Sequence, residues 1–252
     1  MKSARVALIW AALLAAILVP IALAGMSDLL AYRGPVYILA GFAGIIALGL
    51  VLVQPVLIGG YLPGLAGYRG RRAHYWIGGA LVVAVVVHVT GLWITSPPDM
   101  IDALLFVSPT PFSPWGVIAM WAIFATALLA LLRRRLGLTP RTWRITHLSF
   151  AVVIVVGSVV HGLLIEGTME TMSKAALCTL VLAAAVKVMA DRVWRKRATY
   201  DRCATFAVPV PIAGGTQPKA RRRRSPTWRL HRRGRTASAI RREGRRSCPA
   251  DC

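Results

Sequence analysis

Residues 74–88 read "HYWIGGALVVAVVVH". Two histidines, His74 and His88, bracket a run that is otherwise wholly apolar or aromatic. A run of this kind has the composition of a membrane helix, and histidine is costly in hydrocarbon, so an intramembrane histidine calls for a functional reason. A second stretch, residues 147–161, reads "HLSFAVVIVVGSVVH" and repeats the pattern with His147 and His161, again 14 residues apart. His231, in the C-terminal tail, is the one remaining histidine and is taken as a bystander.

The setting of these stretches fixes the fold class. The chain has 252 residues, 56% of them hydrophobic, against roughly 45–50% apolar in an average soluble domain. The excess is gathered into blocks at about 6–24, 36–58, 74–95, 115–132, 145–165 and 175–194. Each is long enough to cross a ~30 Å hydrocarbon core as a helix. The expected architecture is an all-α membrane protein: a six-transmembrane-helix bundle over residues 1–195, followed by a basic, disordered cytoplasmic tail over 196–252. The first block follows Lys2 and Arg5 and ends Ala22-Leu23-Ala24, as a secretory signal does. Its apolar run exceeds the ~7–15 residues of a signal peptide core, and it is read as a retained helix.

Loop charges set the expected orientation. Arg69, Arg71 and Arg72 precede the third block, Arg133, Arg134, Arg135, Arg141 and Arg144 lie between the fourth and fifth, and Arg192, Arg195, Lys196 and Arg197 close the sixth. The alternate loops are poor in base, holding Asp28 and Arg33, Asp99 and Asp102, and Glu166, Glu170 and Lys174. Basic loops stay on the cytoplasmic side, which places both termini in the cytoplasm. Tyr32, Tyr75, Trp76, Trp93, Trp115, Trp143 and Trp194 fall near block ends, as interfacial anchors do. The loop "SPPDMIDALLFVSPTPFSP" (96–114) is proline-rich with an apolar middle, Ile101–Val107, and is expected to form a short helix capping the bundle. Lys187 is read as the one charge inside an apolar block, close enough to its end to snorkel.

From Asp191 onward, 18 Lys/Arg stand against 4 Asp/Glu, so the tail carries +14 of the formal net charge of +22. Such a segment is drawn to anionic lipid; a basic run alone is weak evidence for nucleic acid. Cys178, Cys203, Cys248 and Cys252 show no CxxC or zinc-type spacing, which argues against a disulfide framework or a structural metal site.

The histidine spacing carries geometry. Fourteen residues at ~100° turn a helix to within about 40° of a whole number of turns, so both histidines of a stretch lie near one face, about 21 Å apart along the axis. The third and fifth blocks run in the same direction across the membrane. His74 is therefore level with His147, and His88 with His161. Two imidazoles facing across a bundle are a common means of holding haem iron by both axial positions, an arrangement suited to electron transfer. Two levels imply two stacked haems. Gly78, Gly79, Gly91, Gly157 and Gly162 lie near the histidines and could admit a flat macrocycle, although small residues serve ordinary helix packing as well. Arg71, Arg72 and Arg144 stand at the level of His74 and His147, where they suit either propionates or positive-inside topology.

With these residues in view, the chain resembles the ferric reductase-like transmembrane domain family over roughly residues 36–195, on the six-helix plan and the two His-x13-His stretches. That family includes ferric reductases, the membrane domain of NADPH oxidases and the haem-binding membrane subunit of the bacterial periplasmic methionine sulfoxide reductase system. The resemblance implies two b-type haems, the inner on His74 and His147 and the outer on His88 and His161. It implies no catalytic side chain beyond these metal and cofactor ligands. It further implies electron flow from a cytoplasmic flavin or NAD(P)H donor to an acceptor outside, in a bacterial-type inner membrane. No G-x-G-x-x-G fingerprint follows the sixth block. No flavin domain is therefore expected in this chain, which reads as the electron-transfer haem subunit of an oxidoreductase rather than a complete reductase. Its expected partners are membrane lipid, a separate cytoplasmic flavin reductase, and a periplasmic oxidoreductase or ferric acceptor. Two other functions fit less of the pattern: a reductase of ferric chelates or oxygen acting directly at the outer haem, and a non-redox membrane scaffold or transporter.

Overall fold

A computed structural model describes residues 2–206, with side chains from Ser3 to Trp194. Seven α-helices follow in order: α1 (Lys2–Gly25), α2 (Pro35–Gly59), α3 (Tyr68–Thr95), the short α4 (Pro97–Leu104), α5 (Ser113–Leu132), α6 (Pro140–Leu164) and α7 (Thr171–Phe206). No strand occurs among the described residues. Six of the helices are long and apolar enough to cross a membrane. The chain divides into two units, Met1–Arg192 and Val193–Cys252. The core, the histidines and the interhelical contacts described here all belong to the first. The segment expected to be a disordered basic tail, with Cys248 and Cys252, lies outside the described residues from 207 onward.

Local chemistry sets the helix ends. Gly34 and Pro35 open α2, with proline at a position whose N–H would be unpaired in any case. Gly60 closes it in the left-handed region (φ 73°), returning its N–H to the carbonyls of Leu57 and Val56. Thr139 caps α6, its hydroxyl accepting from the N–H of Thr142 at 3.2 Å, with Pro140 in the first turn. Four helices begin four or more residues before the hydropathy blocks: α1 at Lys2, α3 at Tyr68, α6 at Pro140 and α7 at Thr171. Their first turns are polar, and a helix needs hydrogen bonds there rather than apolar side chains. The same reasoning applies beyond Trp194, where α7 continues to Phe206 through residues read as the start of the tail.

The core runs through the middle of the bundle. Leu48, Val51 and Leu52 of α2 meet Leu81 and Val85 of α3, Val117, Met120 and Ile123 of α5, Ile154 and Val159 of α6, and Leu177, Cys178 and Val181 of α7. Ala103 of α4 joins this cluster, so the proline-rich loop is a packed cap as expected. α1 stands at the edge, where Ile9, Trp10, Leu13 and Ile17 pack on Val53 and Leu57. Large apolar side chains such as Leu8, Leu39, Val83, Trp121 and Leu131 point outward. In a membrane protein this surface is solvated by lipid rather than by water.

α2 lies against α3, and α5 against α6, whereas α3 and α6 do not pack closely on one another. Gly91 and Gly157 belong to the close packings. A Cβ at Gly91 would lie 2.8 Å from the Ala40 Cβ of α2, and one at Gly157 would lie 3.0 Å from the Ala119 Cβ of α5. Gly162 likewise faces the Cys178 sulfur of α7, at 3.5 Å from where its Cβ would stand. These three of the glycines flanking the histidines therefore serve helix packing. Gly79 alone among the five has nothing within 4 Å.

Candidate functional site

α3 carries His74 and His88, α6 carries His147 and His161, and the two helices present them to each other across the gap between their backbones. His74 and His147 have ring centroids 5.9 Å apart with planes at 77°. His88 and His161 are 6.4 Å apart with planes at 81°. The level matching expected from the 14-residue spacing is thus found for both pairs. All four residues are half-buried.

The spacing has a chemical meaning. Imidazole nitrogens bind a metal at about 2.0–2.1 Å, and the ring centre lies about 1.1 Å behind the ligating nitrogen, so two imidazoles on opposite sides of one ion have centroids about 6.2–6.4 Å apart. Both pairs are close to that opening, although no hydrogen bond joins the two rings of either pair. Among the described residues no group of three or more His, Cys, Asp or Glu converges on a point. Each pair is therefore a two-donor arrangement, which matches the axial demand of a haem whose macrocycle supplies the equatorial nitrogens.

The His88–His161 level is built by backbone. His88 Nδ1 donates to the Ala40 carbonyl at 2.7 Å, and His161 Nδ1 donates to the Phe112 carbonyl at 3.0 Å. A carbonyl can only accept, so each Nδ1 carries the proton and each Nε2 is left with a free lone pair. Four residues beyond each carbonyl stands a glycine, Gly44 on α2 and Gly116 on α5. A Cβ at Gly44 would lie 2.9 Å from His88 Nδ1, and one at Gly116 would lie 2.6 Å from His161 Nδ1. Any side chain there would push the ring off its carbonyl. Sequence reading missed both glycines, because their partners lie on other helices. The one available signal was the shared "xxxG" step from Ala40 and Phe112, visible only when α2 and α5 are compared.

The His74–His147 level is built differently. Nδ1 of both rings is buried and has no hydrogen-bond partner. Fourteen residues along α2 from Ala40 stands Gln54, whose carbonyl lies near the His74 ring but outside hydrogen-bonding geometry. Its side-chain Oε1 is also buried without a partner. Where the other level has Gly44 and Gly116, the same step reaches Ile58 and Ala130. Trp143 stacks on His147, with centroids 5.1 Å apart and planes at 19°, and the Arg133 guanidinium sits 5.0 Å over the Trp143 ring. Arg71, Arg72 and Arg144 are exposed at this end.

Two further charged side chains differ from their sequence reading. Lys187 is exposed and pairs with Asp191 at 3.3 Å, with its ammonium 5.0 Å over the Tyr61 ring. Tyr61 itself donates to Asp191. Lys174, placed in a loop by its charge, lies inside α7 and is buried. Lys187 is therefore not the single charge within the apolar segments.

Residues 40–158 match the family model described as ferric reductase like transmembrane component. Over this stretch the chain is similar to that family, which suggests a role in membrane electron transfer; domains of the family generally bind haem. The matched segment contains His74, His88 and His147, and His161 stands three residues past its end. No curated protein and no solved structure matches the chain.

Proposed function

We propose that this chain is a transmembrane di-haem b cytochrome that relays electrons from a cytoplasmic flavin or NAD(P)H donor to an acceptor on the outer face. The observation that carries this reading is the pair of imidazole gaps, 5.9 and 6.4 Å, stacked at two levels between helices that leave room between them. His74 and His147 would hold the inner group, and His88 and His161 the outer. The residues present fit such a group: carbonyls fix the outer imidazoles as Nδ1–H tautomers with Nε2 free, and the inner imidazoles face each other across a similar opening.

When bound, haem iron supplies a one-electron couple that no side chain here possesses. The chain supplies the rest. Donation from His88 and His161 to carbonyls makes their opposite nitrogens stronger donors and locks the ring orientation. Held by two imidazoles, such a group would supply electron transfer rather than oxygen binding. The apolar walls from α2, α5 and α7 exclude water from the space between the levels. The arginine-rich loops support a reading in which the His74 level faces the cytoplasm across a bacterial-type inner membrane, which would give the relay its direction. We take the donor to be a separate flavin reductase, and the acceptor a periplasmic oxidoreductase. Direct reduction of a ferric chelate at the outer haem is the second reading, favoured by the family's own description. Neighbouring genes for iron uptake, rather than for a periplasmic oxidoreductase, would select it.

The test is a reduced-minus-oxidised spectrum of the purified chain with haem quantified per polypeptide. Two b-type haems are expected, falling to one in the His88→Ala/His161→Ala variant. A wild-type protein made with ample haem yet lacking a Soret band would overturn the reading.

A further inference from the structure

A cavity of about 840 Å³ lies where α3, the end of α5 and the α5–α6 turn meet. Its lining is of two kinds. Ala130 and Leu131, at the end of the apolar span of α5, and Leu138 beyond it supply aliphatic surface. Arg133 and Arg134, directly past that span, supply charge, and Tyr75 of α3 adds a ring with a hydroxyl. The border between hydrocarbon and headgroups crosses a membrane helix where its apolar run ends, so this cavity straddles that border. Leu131 is 67% and Tyr75 55% exposed, so the apolar part of the lining is open to lipid rather than sealed inside the bundle.

The turn that carries the two arginines has a defined geometry. Gly137, which also lines the cavity, stands in the left-handed region (φ 58°). Its N–H donates to the Arg134 carbonyl, and the Leu138 N–H donates to the Arg133 carbonyl, each at 3.4 Å. This is the Schellman closure of a helix end, which needs a residue free to adopt positive φ. Arg133 is held at its other end as well, with its guanidinium 5.0 Å over the Trp143 ring. A guanidinium stacked on a ring keeps its N–H donors in its own plane, available to an anion.

The charge balance asks for that anion. Residues 133–144 hold five arginines and no Asp or Glu. Neither Arg133 nor Arg134 pairs with a carboxylate among the described residues. The dipole of α5 favours cations at its carboxyl end, which accounts for arginines there but not for two of them lining a partly aliphatic cavity. Arginine takes phosphate oxygens by parallel N–H donations. Beside it, hydrocarbon-facing leucine and alanine suit an acyl chain. Basic pockets between membrane helices are a recurrent setting for anionic headgroups.

We propose that this cavity binds one anionic phospholipid, its phosphate on Arg133 and Arg134 and the start of an acyl chain along Ala130 and Leu131. The site stands independently of the di-haem reading.

The experiment uses the full chain in non-ionic detergent at about 0.15 M salt, which screens diffuse basic surfaces. Dioleoyl phosphatidylglycerol, dioleoyl phosphatidylcholine and inorganic phosphate are titrated separately. Binding is read as lipid per chain by native mass spectrometry and as a rise in melting temperature. Wild type is expected to hold one phosphatidylglycerol about tenfold more tightly than phosphatidylcholine. Arg133→Gln/Arg134→Gln is expected to lose that preference. Arg71→Gln/Arg72→Gln, with the same change of charge in another basic segment, is expected to keep it. Arg134→Gln alone leaves the Arg133–Trp143 contact in place and is expected to weaken phosphatidylglycerol about threefold or more, so the test holds even where the double variant does not fold. Equal losses in the two double variants would overturn the site, because binding would then follow total charge rather than the cavity. An unchanged preference in Arg134→Gln, or equal binding of the two lipids by wild type, would overturn it too. Stabilisation by inorganic phosphate as large as by phosphatidylglycerol would overturn the lipid as occupant and leave a free-phosphate site.

Discussion

The two histidine pairs look alike in sequence and differ in what holds them. At the His88–His161 level, backbone carbonyls of Ala40 and Phe112 grip each Nδ1, and Gly44 and Gly116 clear the space. At the His74–His147 level both Nδ1 atoms are buried and unpartnered, and side chains do the holding through Trp143 stacked on His147. A carbonyl in a helix is immobile, so the first level has its ring geometry before anything binds. A stacked indole constrains a ring plane but not its tautomer, and the second level offers neither Nδ1 an acceptor. One His-x13-His pattern thus supports one level whose rings are fixed by backbone carbonyls and one whose Nδ1 atoms have no partner.

The sharpest way to break this contrast is at the glycines. Gly116→Val puts a side chain where even a Cβ would lie 2.6 Å from His161 Nδ1. It is expected to abolish haem at that level and to halve the haem per polypeptide, read by pyridine haemochrome assay. The residual spectrum should belong to the His74–His147 pair, and retention of both haems would show that the ring has room the geometry denies. The substitution Ala130→Val, at the equivalent step of the other level, should leave the haem count unchanged.

Trp143→Ala probes the level held by side chains. An aromatic pair is worth about 0.5–1.5 kcal/mol beyond its burial, so haem retention at the His74–His147 level should weaken by roughly two- to tenfold. The other level should not respond, as site-resolved redox titration would show. An equal effect on both would mean the two levels are not independently built.

Gln54→Leu removes a buried, unpartnered carbonyl oxygen. The haem-depleted chain should gain about 1–2 kcal/mol in detergent unfolding, because a buried polar group without a partner costs about that much. A loss of stability instead would reveal a partner for Gln54 in the haem-free state. Lys187→Gln should give the smallest change. Its pair with Asp191 is exposed, and such i,i+4 pairs contribute about 0.3–0.5 kcal/mol; a shift of several degrees in melting temperature would contradict this.

Much of the plan was legible in the chain. Six apolar segments and their order follow from hydrophobicity alone, since a helix is the simplest way to carry a continuous apolar run through lipid. Helix starts were less legible. Tyr68–Ala73, Pro140–Arg144 and Thr171–Lys174 are helical yet too polar to register as apolar, and the same feature hid Lys174 inside α7. Gly91, Gly157 and Gly162 were visible as small residues near histidines, but their use in helix packing depends on Ala40, Ala119 and Cys178, which lie far away in sequence.

By itself the sequence determined the two-level plan. A spacing of 14 residues in a helix of fixed pitch must put His74 and His88 on nearly one face about 21 Å apart, and the same arithmetic holds for His147 and His161. Only the tertiary structure decided which level is fixed by backbone carbonyls and where the buried charge sits. Those properties depend on what α2, α5 and α7 bring against α3 and α6: the carbonyls of Ala40 and Phe112, the bare backbones of Gly44 and Gly116, and Lys174 turned in toward Ile165. Helix pitch is a local property that every residue repeats. A carbonyl meeting an imidazole from another helix is a coincidence of two distant stretches, and only packing creates it.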